Sequence, residues 1–254
     1  MELKCAVQNY HWGKVGSESL VASFAANAVT DFKLDEGTNY AELWMGTHNS
    51  GPSVIKETGE TLPEYIKKNP NCLGEKVQER FGGELPFLFK VLSVRQALSI
   101  QIHPNKSNAE ALNAKFPDRY KDSNHKPEIA IALTDFQGLC GFRPLKEIQE
   151  FLQKLPELQT ILGEASTQAL FNAKEDDYKD GLKASFTSLM KVDAVMLKKE
   201  LEKLAARMSD SEGLQKDLFK TLNKDFPGDV GCFAIYFLNH VKLLPGRDYR
   251  NVKK

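Results

Sequence analysis

Apolar and polar positions alternate most cleanly in two stretches. In the first, Leu98, Ile100 and Ile102 alternate with Ser99, Gln101 and His103, the spacing of a strand with an aliphatic face and a polar face. A hydroxyl, an amide and an imidazole then stand in one row. Pro104 ends the ladder, so His103 is predicted at a rim open to a ligand. In the second, Lys126-Pro127-Glu128-Ile129-Ala130-Ile131-Ala132-Leu133, the side chains of Ile129, Ile131 and Leu133 fill one face. Glu128 shares the other with two alanines, which leaves room for a bound group.

The same reading predicts the rest of the chain. Leu3, Cys5 and Val7 alternate as an opening strand, followed by a polar loop at His11-Trp12-Gly13-Lys14. Leu20, Phe24 and Ala28 have helical spacing and predict a short helix over a sheet, while Trp44 and Met45 read as core. Leu62 to Phe81 reads as helix broken at Pro70 and Gly74. Phe87 to Val94 is a nearly continuous apolar strand interrupted by Lys90, which must face a polar cavity, meet an anion, or snorkel from an edge strand. Three strands that each carry a polar row suggest a shared polar interior. That is the plan of a cupin, a small antiparallel barrel whose mouth holds a metal or ligand.

After Gly141-Phe142-Arg143 the period changes. Pro144 suits a helix start, and Leu145, Ile148, Leu152 and Leu155 form a first apolar stripe. Leu197, Leu201, Leu204 and Met208 form a second, and Leu214, Leu218 and Leu222 a third. These are core stripes of a helical subdomain and imply no cofactor. Asp176, Asp177 and Asp180 lack a calcium-loop pattern and read as solvated surface. The helices stop at Phe226-Pro227-Gly228-Asp229, and the chain returns through Val230 to Leu238.

Composition narrows the classes of function. The 254 residues are 41% hydrophobic and 27% charged, as in a soluble globular protein, and 34 basic residues balance 34 acidic ones. No overall charge steers the chain to nucleic acid or to an anionic membrane, so an anion must be recognised locally. Cys5, Cys72, Cys140 and Cys232 form no C-x-x-C pair and read as free thiols packed as small hydrophobes. The start, Met1-Glu2-Leu3-Lys4, leads into no signal-type apolar segment. Val230 to Leu238 falls short of the roughly 20 residues of a membrane helix, so a cytoplasmic location is expected.

Gln101, His103 and Glu128 are oxygen and nitrogen donors of the kind that suit zinc or a similar divalent ion. By spacing alone, a hydrogen-bonded structural histidine fits the row equally. The two stretches resemble the metal-binding segments of the type I mannose-6-phosphate isomerase (phosphomannose isomerase) family, whose pattern Q-x-H-P-x-K followed by H-K-P-E supplies three zinc ligands. Further similar runs are Tyr10 to Lys14, Tyr40 to His48, Leu85 to Lys90, Phe136 to Pro144, and Leu238-Asn239 through Pro245-Gly246.

The resemblance implies a zinc-dependent isomerase that interconverts mannose 6-phosphate and fructose 6-phosphate and feeds GDP-mannose synthesis. It implies one zinc ion on Gln101, His103 and Glu128, and substrate contacts from Trp12, Lys90, Ser99 and Lys126. Without it, Trp12 reads as packing, Ser99 as a strand hydroxyl and Lys126 as surface. The implied partner is a small sugar phosphate, with no nucleic acid or membrane, and the chain is expected to be a monomer. The expected organisation is residues 1–143 as part of a catalytic cupin domain, 144–226 as the helical subdomain, and 227–254 as a return segment with an atypical basic tail. In the family a second His ligand and an active-site Arg follow the Pro-Gly turn; here the resemblance stops at Gly246, so a C-terminally truncated chain is expected and the catalytic residue is unassigned. A non-catalytic variant that binds zinc or sugar phosphate without turnover is the alternative.

Overall fold

The computed structural model describes residues 1–29, 31–208 and 213–251. The chain divides into two compact units, Met1–Leu98 and Ser99–Lys254.

The first unit is built from short antiparallel strands. They are β1 (Leu3–Lys4), β2 (Ala6–Gln8), β3 (Lys14–Val15), β4 (Asn39–Tyr40), β5 (Glu42–Met45), β6 (Val54–Ile55) and β7 (Phe89–Leu92). Strand β5 lies between β2 and β7, while β1 pairs with β6 and β3 with β4. The expected opening strand is broken at Cys5, so its two halves pair with different partners. Helix α1 (Leu20–Ala28) forms where expected, with the Ser19 hydroxyl accepting from the Ala22 amide as N-cap. Its buried face is a correction: Val21, Ala22 and Ala25 are buried, whereas Leu20 and Phe24 are exposed. The smaller residues let the helix approach the sheet closely, and Val21 and Ala22 pack with Tyr40, Leu43 and Val91.

The stretch from Leu62 breaks as its sequence predicts. Helix α2 (Leu62–Lys68) starts in a capping box of Thr61 and Glu64, a 3-10 turn covers Pro70–Leu73, and α3 (Glu75–Phe81) follows Gly74. Cys72 on that turn is exposed, not packed as a small hydrophobe.

The second unit is mostly helical. It comprises α4 (Lys106–Lys115), β8 (Glu128–Ile131), β9 (Phe136–Phe142), α5 (Leu145–Lys154), α6 (Pro156–Leu162) and α7 (Glu164–Asn172). Then come α8 (Lys179–Met190), α9 (Ala194–Met208), α10 (Lys216–Asp225), α11 (Gly231–Ala234), β10 (Leu238–Leu243) and β11 (Asp248–Asn251). Ile148, Leu152, Leu155, Leu158, Leu170 and Leu204 are wholly buried in its helical core. The first two apolar stripes are thus the core faces of α5 and α9. The third shifts by one position: Phe219 and Leu222 are buried, Leu218 is half-buried, and Leu214 precedes the helix in a left-handed conformation. The apolar run from Val230 divides into α11 and the start of β10, which pairs antiparallel with β9.

Two strand expectations need correction. Residues 98–105 form no strand: the segment is irregular, and Ile102 is 88% exposed. Alternation alone cannot hold a strand, because its amides and carbonyls need a neighbouring ladder, and no described strand pairs with this segment. The second stretch does form β8, yet Ile129, Ile131 and Leu133 stay exposed. Its ladder partner is β11 in the basic tail, with Asn251 opposite Glu128 and Asp248 opposite Ile131. The described strands form five small sheets and no closed barrel.

Candidate metal and substrate site

His103 and Glu128 are brought together from segments far apart in sequence. His103 Nε2 lies 3.7 Å from Glu128 Oε2, and the imidazole is largely buried while the carboxylate is half exposed. On the other side of the ring, Nδ1 is 2.6 Å from the Lys126 carbonyl oxygen. A carbonyl oxygen only accepts, so Nδ1–H donates to it, and Nε2 is the ring nitrogen that faces Glu128. Backbone carbonyls orient metal-ligating histidines in this way. Both residues of the contact precede a proline, Pro104 and Pro127, which disfavours helical backbone at each.

The two segments are also tied just beyond the pair. Lys106 Nζ donates to Asn124 Oδ1 at 2.7 Å and to the Ser123 carbonyl at 3.4 Å, and the side chain of Asn105 caps α4 by accepting from the Asn108 amide. Lys126 Nζ lies 3.6 Å from Glu128 Oε1, so the carboxylate faces one cation on one oxygen and the imidazole on the other. Among the described residues no three His, Cys, Asp or Glu side chains cluster as a metal site. A third protein donor would therefore come from an amide such as Gln101, which is exposed two residues before His103. Imidazole nitrogen, carboxylate oxygen and amide oxygen fit zinc chemically, and two ligands at about 2.1 Å from one ion stand roughly 3.4 Å apart in tetrahedral geometry. The observed 3.7 Å separation is close to that figure.

Ser99 is exposed in the irregular segment, and Lys126 keeps 57% of its side chain exposed. Trp12 and Lys90 belong to the first unit. The Trp12 ring stacks on Tyr10 at 5.7 Å, and its loop is fastened by the Asn39 amide, which donates to the carbonyls of His11 and Gly13. Gly13 is required there, since a methyl group would come within 2.7 Å of the Ala41 backbone. Lys90 does meet an anion, the buried Glu42, at 3.1 Å. The sequence reading assigned Glu42 no role, although it stands among the aromatics of the Tyr40 to His48 run. Its signal was a carboxylate at the start of β5, two residues from Trp44. His240 receives no metal role, and its ring nitrogens bond the side chains of Gln137 and Gln215.

The comparisons with known proteins place this architecture in a class. Residues 1–145 match the catalytic domain of phosphomannose isomerase type I, and residues 158–238 match its helical insertion domain. The chain belongs to the type I phosphomannose isomerase family. It is 47% identical to the mannose-6-phosphate isomerase of Mus musculus and 46% identical to that of Homo sapiens, each over 96% of this chain and 61% of the relative. The chain thus spans about 61% of the length of these curated relatives. Among solved structures, the apo form of mannose 6-phosphate isomerase from Salmonella typhimurium is 34% identical with a TM-score of 0.81, covering 98% of this chain and 62% of that one. A mannose 6-phosphate isomerase bound with zinc and yttrium is 34% identical with a TM-score of 0.82, over 97% of this chain and 62% of that one. No described helix is long and apolar enough to cross a membrane.

Proposed function

We propose that the chain carries the metal- and substrate-binding part of a zinc-dependent aldose–ketose isomerase acting on mannose 6-phosphate and fructose 6-phosphate. The observation that carries this reading is the arrangement of His103 in a chain of this family: Nδ1 is committed to the Lys126 carbonyl, and Nε2 faces Glu128. Gln101, His103 and Glu128 are the proposed ligands of one zinc ion. When bound, the ion supplies a positive charge that stabilises developing negative charge on the sugar oxygens.

Moving the carbonyl between C1 and C2 requires a proton to pass between adjacent carbons through an enediol. Lys90, Ser99 and Lys126 are proposed to contact the sugar phosphate through two ammonium groups and a hydroxyl. Trp12 is proposed to pack against the sugar. The proton-transferring group is not assigned to any residue of this chain. We further assign residues 1–143 to a cupin-type catalytic domain, 144–226 to the helical subdomain and 227–254 to a return segment. A cytoplasmic monomer that feeds GDP-mannose synthesis completes the reading.

A second reading, which needs no proton-transferring residue in this chain, is a variant that binds zinc or sugar phosphate without turnover. A coupled assay with mannose 6-phosphate, run on the chain with its zinc content measured, separates the two. Product above the uncatalysed rate supports the isomerase, while bound zinc without product supports the non-catalytic variant. Absence of both zinc and sugar-phosphate binding would overturn both readings.

A further inference from the structure

One face of the three-stranded sheet in the first unit gathers a carboxylate, an indole and an ammonium. Strand register sets Lys90 on β7 directly opposite Trp44 on β5, and Glu42 lies two residues along β5 on the same face. The Glu42 carboxylate, only 6% exposed, accepts on the same oxygen from the Trp44 indole N–H and from Lys90 Nζ. Lys90 Nζ also sits 4.8 Å from the centroid of the Trp44 ring. The indole itself has little freedom. His48 packs against it edge-on at 4.9 Å, and a methyl group on Gly51 would come within 3.4 Å of Trp44 Cε3 and 2.8 Å of Gln8 Nε2.

We propose that Glu42 is a positioning residue that holds Lys90 in place for the phosphate of a sugar phosphate. The proposal rests on the reading of Lys90 as a phosphate contact. An ammonium carries three N–H donors, and Glu42 with Trp44 engages one side of it. A lysine on an edge strand would otherwise swing into water, and its rotamer freedom would be lost on binding rather than on folding. The charge of Glu42 opposes the bound anion, but it acts over a longer distance than the attraction from Lys90. An amide in place of the carboxylate could keep one acceptor oxygen yet would turn donors towards two donors.

The test is calorimetric titration of the full chain with mannose 6-phosphate, and with inorganic phosphate as a second probe, across a double-mutant cycle. Glu42→Gln should weaken binding about 10-fold, the scale of one hydrogen bond to a charged group. Lys90→Ala should weaken it similarly, and the double variant should bind no worse than Lys90→Ala alone. Glu42→Asp, which keeps the carboxylate, should recover most of the affinity, and Glu42→Met, which removes the charge without adding a donor, replaces Glu42→Gln in the cycle if that variant fails to fold. Unchanged or tighter binding by Glu42→Gln overturns the proposal, as does an equal loss on the Lys90→Ala background, which marks a structural role. If Lys90→Ala binds like the unsubstituted chain, or the unsubstituted chain binds neither probe, the reading of Lys90 fails and the proposal falls with it.

Discussion

The carbonyl of Lys126 fixes the imidazole of His103 through a 2.6 Å hydrogen bond, so a backbone atom decides which ring nitrogen is free to bind a ligand. The contact also separates two roles within one residue. The backbone of Lys126 serves His103, while its side chain is proposed to serve the phosphate.

A first prediction follows from that separation. His103→Ala and Glu128→Gln should each lower zinc affinity by at least about 10-fold, measured by competition with a chromogenic chelator. Lys126→Ala keeps the carbonyl and should leave zinc content nearly unchanged while weakening mannose 6-phosphate binding. Equal loss of metal and sugar phosphate in Lys126→Ala would contradict the separation.

In the second unit, Arg207 forms a bidentate pair with the buried Glu157, at 2.9 and 2.7 Å. Burial alone would raise the Glu157 carboxyl, but the hydrogen bonds from Arg207 and the charges of Arg207 and Lys203 outweigh it, and the net shift is downward. Arg207→Met would leave a buried carboxylate without its partner. It should cost about 2 kcal/mol in urea unfolding, discounted from a fully buried pair because Arg207 is partly exposed. Because the folded value is depressed, the contribution of Glu157 is present above its unfolded value near 4.5 and is lost as pH falls through the lower, folded one. The variant should therefore show a weaker loss of stability in acid.

His240 supplies a pH dependence in a higher window. Burial, and then the charges of Lys242 and Arg143, hold its imidazole below the usual 6.5. The ring nitrogens meet the Oε1 atoms of Gln215 and Gln137, and the neutral ring, with one N–H, donates to one of them. Between the lowered folded value and 6.5 the unfolded chain binds more protons, so stability should fall as pH drops below about 6.5 and level off below the folded value. His240→Gln should flatten that slope in melting temperatures taken from pH 5 to pH 8. An unaltered slope would place the dependence on another group.

The thiols should react in a defined order. Cys232 is buried, and desolvation together with the charge of Asp229 pushes it up to about 12, whereas Cys72 is exposed. A disulfide reagent at pH 8 should therefore give a rapid phase that disappears in Cys72→Ser, and Cys232 should react only on unfolding. Rapid modification of Cys232 in the native chain would contradict its placement.

Elements whose evidence is local could be read from the chain of residues alone. Apolar residues at helical spacing fixed the buried faces of α5 and α9, because those faces follow from backbone geometry alone. Pro70 and Gly74 broke the helical stretch where a missing amide and a left-handed residue require it. His103-Pro104 and Lys126-Pro127-Glu128 also stood out in the sequence, and the structure brings His103 against the Lys126 carbonyl and beside Glu128.

Features that depend on partners distant in the chain emerged only on folding. Leu98 to His103 has the alternation of a strand but no ladder beside it, and alternation says nothing about which strand will supply one. The basic tail gave no apolar pattern, yet it pairs with β8 through backbone groups that every residue carries. In α1 the buried side fell to small residues, because close approach to the sheet outweighed the larger side chains of Leu20 and Phe24. The partner of Glu42 became visible only once strand pairing set Lys90 across from Trp44, since a buried carboxylate is explained by the cation it meets.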